Sequence, residues 1–80
     1  MNTITRKTVR ELIETLEHEI SLVDNCFITA VHSSYIPQYG GWEIRFTLRD
    51  GHTYDVTTLR LTNKEAYWML RGILFSIMVN

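Results

Sequence analysis

Three histidines and one cysteine are the residues of this chain best suited to proton transfer, nucleophilic attack or metal binding. His18 follows Glu14 by one helical turn, a spacing at which a carboxylate can hold an imidazole as an acid–base unit. A solvated helix face carries the same pair, and that is the reading adopted here. His52 sits at the Asp50-Gly51-His52 tip of a hairpin, where polar residues belong. His32 falls near the end of a strand beside an aromatic loop and can line a cleft. Cys26 follows a helix end instead of opening a helix, so no helix dipole lowers its pKa. It reads as a buried structural thiol. Cys26 and His32 make a two-ligand metal candidate with no obvious third ligand. A glycine-rich phosphate loop and a nucleophile elbow are both missing, and Gly40-Gly41 is an isolated pair. These residues predict a non-enzymatic protein that needs no cofactor. A small enzyme or metal site around Cys26 and His32 is the outlying alternative.

The elements that must position these groups are legible from periodicity. Thr8-Val9-Arg10-Glu11 has the form of a capping box. Behind it Val9, Leu12, Ile13, Leu16, Ile20 and Val23 recur at helical spacing, which predicts an amphipathic helix ending near Asp24-Asn25. Glu11, Glu14, Glu17 and Glu19 make this helix locally acidic, as a solvated face is. Residues 26–33 are short, apolar or β-branched and predict a strand, with apolar residues at both parities. Ser34 to Gly41, broken by Pro37 and two glycines, predicts a loop.

Trp42, Ile44, Phe46 and Leu48 then alternate with Glu43, Arg45, Thr47 and Arg49, the pattern of a half-buried strand. Asp50-Gly51 marks a hairpin. A three-residue loop, Arg49-Asp50-Gly51, pairs Phe46 with Tyr54 and Ile44 with Val56 on the inner face. Arg45 then pairs with Asp55 and Thr47 with Thr53 outside. A two-residue loop would mix core with solvent, so the first register is expected. Thr62-Asn63-Lys64-Glu65 is a second capping box, opening a last helix. The order predicts an α+β two-layer sandwich, a three-stranded antiparallel meander with two helices on one face, as a single domain over residues 1–80. Trp42, Phe46 and Tyr54 share the inward parity and are expected in the core.

The last helix is apolar on two sides. Ala66, Met69, Leu70, Ile73, Leu74 and Ile77 form the core stripe. Trp68, Phe75 and Val79 form a second stripe, a surplus of the kind that marks a contact surface. Arg71 flanks it, and Trp and Arg are favoured at interface hot spots. Gly72 lies mid-helix beside it, where the lack of a side chain can admit another backbone. The segment with Tyr35, Ile36, Pro37 and Tyr39 is unusually apolar for a surface loop. Trp68, Arg71, Phe75, Val79, Tyr35 and Tyr39 are therefore the expected partner-binding residues, for a protein partner or a second copy in a homodimer.

Composition narrows the alternatives. A net charge of −1 over 80 residues argues against non-specific phosphate binding. Arg49, Arg60 and Lys64 could still touch phosphate, which makes a small nucleic-acid-associated regulator the second reading. A lone cysteine fits a reducing compartment. With no apolar run behind the basic N-terminal residues and no membrane-length segment, the expected location is the cytoplasm.

The helix–strand–strand–strand–helix order, with Asp50-Gly51-His52-Thr53-Tyr54 at the turn, resembles some small phage anti-CRISPR proteins. Those proteins bind a CRISPR effector nuclease and block its access to DNA. The resemblance implies a small mobile-element inhibitor that acts by occupying a host protein. The near-neutral charge differs from the strongly acidic members that imitate DNA.

Overall fold

Thr5 and Thr8 start the first helix by bonding each other. The Thr5 hydroxyl accepts from the Thr8 amide at 3.3 Å, and the Thr8 hydroxyl accepts from the Thr5 amide at 3.3 Å. This reciprocal cap opens α1, Arg6–Leu22, in a computed structural model that describes residues 3–55 and 60–79. The helix thus begins before the Thr8–Glu11 box expected from sequence. Thr8 is the third helical residue, where its hydroxyl does the work usually given to Glu or Gln. Ile4 and Val9 occupy the two positions of a hydrophobic staple, and both pack into the core. The predicted apolar face is the buried one: Val9, Leu12, Ile13, Leu16 and Ile20.

The remaining elements are β1 (Ile28–Ile36), a single 3-10 turn (Pro37–Tyr39), β2 (Gly41–Leu48), β3 (Thr53–Asp55) and α2 (Asn63–Val79). They form an antiparallel sheet in the order β1-β2-β3, which is the predicted α-β-β-β-α architecture. The predicted loop of residues 34–41 is shorter than expected. Tyr35 and Ile36 belong to β1 and pair with Trp42 and Gly41. The residue before a proline is driven to extended backbone, and Ile36 adopts φ −111°, ψ 101°.

The ambiguous parity of β1 has a physical cause. The register shifts between Ile28 and Ala30, a bulge that changes the phase of the strand. Ile28 and Val31, three positions apart, therefore both reach the core. In β2 the alternation is regular, with Trp42, Ile44 and Phe46 buried.

The hairpin takes the three-residue loop. Arg45 pairs with Asp55, Phe46 with Tyr54 and Thr47 with Thr53, while the Leu48 amide donates to the His52 carbonyl at 2.8 Å. Gly51 has φ +93°, a conformation that side chains disfavour. Val56 and Thr57 lie outside the described residues. Tyr54 corrects the core assignment: it shares the inward parity of Phe46 yet is 58% exposed. The helices pack mainly on β1 and β2, and Tyr54 on the edge strand β3 stays in solvent.

Past the hairpin the chain returns to β2 at Leu61, which bridges Trp42 through bonds of 2.7 and 3.1 Å. This return passes over Gly41, where a Cβ would lie 2.6 Å from the Arg60 Cβ and 3.2 Å from the Leu61 carbonyl oxygen. Gly41→Ala should therefore destabilise the protein by about 2 kcal/mol through backbone displacement. A urea titration with an unchanged midpoint would contradict that close approach.

The expected box at Thr62 is present and opens α2. The Glu65 carboxylate accepts from the Thr62 amide at 2.9 Å, and the Thr62 hydroxyl accepts from the Glu65 amide at 3.2 Å. The two helices run parallel. Their N-terminal ends meet the same aromatic pair: Arg6 lies 4.8 Å from the ring centre of Tyr35, and Asn63 accepts from the Trp42 indole at 2.8 Å. At the other end Val23 and Ile77 line one depression. Among the described residues, no helix is long and apolar enough to cross a membrane.

Candidate functional site

The surplus stripe of α2 is exposed. Its inner face, Ala66, Leu70, Leu74 and Ile77, is buried against the sheet and α1. A hundred degrees of rotation per residue then carries Trp68, Gly72, Phe75 and Val79 to the opposite side. Trp68 is 59% exposed, Phe75 68% and Val79 65%. Neither β1 nor the Tyr35 segment folds over them. Tyr67, half buried against the core, meets Trp68 edge-to-face with ring centres 5.1 Å apart and orients the indole. Arg71 is exposed on the flank. Met78, 62% exposed, widens the patch and was not anticipated. It follows the core residue Ile77 in sequence, and the helical angle that takes it outward was available from the spacing.

Gly72 stands in the middle of this face, and a Cβ built there meets nothing within 4 Å. A glycine inside a helix costs about 0.5–1 kcal/mol relative to alanine. Among the described residues, no contact at Gly72 accounts for that cost.

Two further apolar residues, Leu22 at the end of α1 and Phe27 just before β1, are exposed. Phe27 shares its depression with Val23, Cys26 and Ile77. Neither stood out in the sequence, because each is a single apolar residue off any periodic stripe.

Tyr35 is placed differently from the rest of the expected binding set. It packs half buried against the core and meets Trp42 edge-to-face at 5.3 Å, with the Arg6 guanidinium over its ring. It caps the core's edge at the N-terminal end of α2. The Tyr39 side chain lies outside the described residues.

The basic residues do not form one patch. The Arg49 Nε donates to the Cys26 carbonyl at 3.1 Å, and Arg60 is paired with Glu43 at 3.2 Å. Arg60 precedes the Leu61–Trp42 bridge at the start of β2, whereas Arg49 follows its end. At about 3.3 Å per residue the two ends of that strand lie about 23 Å apart. Lys64 stays with the Arg60 end, in the first turn of α2.

Cys26 and His32 do not converge as a metal site. Cys26 is buried in the core. His32 is exposed on the outer sheet face beside Arg45, its Nε2 at 3.1 Å from the Thr47 hydroxyl. Among the described residues, no group of three or more His, Cys, Asp or Glu side chains could hold a metal ion. His18 is exposed, and its carbonyl accepts from Ser21.

The hairpin tip holds an Asp–His pair. The Asp50 carboxylate accepts from the His52 amide at 2.9 Å and meets the His52 ring nitrogen at 2.9 Å. The bond to Asp50 raises the His52 pKa above its usual 6.5. The His52 amide, more than the ring, lowers that of Asp50 below 3.8. The His52 contribution is complete below pH 6.5 and fades as pH rises through its raised value. That of Asp50 is present above pH 3.8 and is lost as pH falls through its lowered value. The tip is thus tightest between roughly pH 4 and 6.5. An NMR titration should place the His52 midpoint above 6.5, and Asp50→Asn should lower it. An unmoved midpoint would exclude the pair. Both groups are solvated, so global stability should barely follow.

Comparison with family models, curated proteins and solved structures returns no match to this chain.

Proposed function

We propose that this protein is a non-enzymatic binding module that works in the cytoplasm and engages a protein through the outer face of α2. The observation that carries the reading is the exposed row of Trp68, Phe75 and Val79 on a helix whose opposite face already serves the core. A solvated helix gains nothing from two aromatic rings in water, whereas an interface uses such anchors as hot spots. Arg71 supplies a charged flank able to bond across the contact. The most specific version is a mobile-element inhibitor of the anti-CRISPR kind, which occupies a host effector and needs no chemistry of its own.

Trp68→Glu tests the reading: the variant should keep the wild-type circular dichroism and lose association with its protein partner. If it unfolds, the stripe is structural and the proposal is wrong. For the inhibitor version, expression in bacteria with an active CRISPR effector should restore phage plating, and Trp68→Glu should not. Plating that stays low with the wild-type protein would remove that version.

A further inference from the structure

We infer that the outer face of α2 docks against the same face of a second copy, in an antiparallel helix pair with each Phe75 seated over the other copy's Gly72. This rests on the proposal that the stripe is a protein contact, and it names the occupant.

The spacing of residues on α2 sets the pairing. A two-fold axis passing between residues 73 and 74 brings Phe75 level with Gly72 and Trp68 level with Val79, with Arg71 and Ser76 on the two edges of the contact. Large therefore faces small at each apolar level, using residues of one helix only. Trp68, Arg71, Gly72 and Phe75 outline the four-residue hole into which a facing side chain inserts, with Gly72 as its open floor. Close approach of another helix gives that glycine a purpose that the isolated chain does not.

Area points the same way. Trp68, Phe75, Met78 and Val79 are 59–68% exposed. At about 200 Å² per aromatic side chain, Trp68 and Phe75 alone offer roughly 250 Å² of apolar surface, to which Val79 and Met78 add. A standard interface covers about 800 Å² per partner, and homodimer interfaces are about 65% apolar. The stripe supplies the apolar centre, and Lys64, Arg71 and Ser76 supply polar rim.

Charge selects the orientation. The last turn of α2 carries no basic residue to offset its negative dipole end, while Lys64 lies in the first turn. An antiparallel pair brings each Lys64 toward the other helix's last turn. Glu65 remains engaged in its own cap with Thr62. A parallel pair would set Lys64 against Lys64 and two uncompensated C-terminal ends together.

Solution mass from micromolar to millimolar protein, on wild type, Gly72→Ala and Trp68→Glu, tests the arrangement. Wild type should show a monomer–dimer equilibrium. Gly72→Ala should weaken it by at least about tenfold, while raising the melting temperature of the dilute monomer by about 4 °C through helix propensity. That opposition is not expected of a glycine with a merely structural role. Trp68→Glu should be a folded monomer. A dimer indifferent to Gly72→Ala would overturn the packing. A wild-type monomer at every concentration, with Trp68→Glu still folded, would overturn self-association yet leave the stripe open to a foreign protein. Unfolding of Trp68→Glu would overturn both readings.

Discussion

Trp42→Ala should remove a large share of the stability of this protein, about 3–5 kcal/mol. The whole of an 80-residue domain amounts to only about 4–12 kcal/mol. Trp42 is 2% exposed and joins three parts of the fold. Its ring packs on Tyr35 of β1, its backbone bridges Leu61, and its indole nitrogen bonds Asn63 at the start of α2. Truncation would open a cavity where the sheet, the returning chain and the last helix meet. The melting temperature should fall by at least about 15 °C. Trp42→Phe separates the two contributions: it keeps most of the volume and loses the bond to Asn63, so about 1–2 kcal/mol is expected. Equal losses in the two variants would show that the bond, rather than the packing, dominates.

The other tryptophan should behave in the opposite way. Trp68→Glu removes a residue that is 59% exposed and touches the Tyr67 ring edge-to-face. Its effect on folding should stay within about 0.5 kcal/mol, the range of ordinary surface changes. Its effect on association should reach at least about 2 kcal/mol, or thirtyfold in Kd, as for an interface anchor. Chemical denaturation and a binding isotherm measured on the same preparation decide the matter. If association survives within a factor of about two, Trp68 is no anchor.

The parts of this structure that repeat a period were legible in the sequence. The apolar face of α1, the alternation of β2 and the double-sided α2 each follow from residue spacing, and the hairpin register follows from the requirement that Phe46 and Ile44 stay on one face. What failed was local chemistry that breaks a period or replaces a usual residue. Thr8 substitutes for a glutamate in the α1 cap. The bulge after Ile28 reverses the parity of β1. Pro37 held an unused clue, since it obliges Ile36 to be extended and so prolongs β1. Tyr54 could not have been placed, because its exposure depends on which strands the helices cover. For the site, the α2 stripe was readable as a surplus, whereas its exposure depended on the tertiary packing of its neighbours. Tyr35 looked like a loop residue only because the length of β1 was underestimated.

The parallel packing of α1 against α2 also bears on how the molecule comes into being. The sheet is made of neighbouring segments and can pair early, since hairpins need only short loops. Its inner face, with Trp42, Ile44 and Phe46, needs a cover that includes α2. A ribosome adding about 5–20 residues per second therefore holds a chain with an open apolar sheet until the last turn of α2 has been delivered. Closure waits on α2, and its packing against α1, the element most distant from it in sequence, completes it. During that interval the nascent chain, rather than the finished one, is the form most exposed to chaperones and to aggregation.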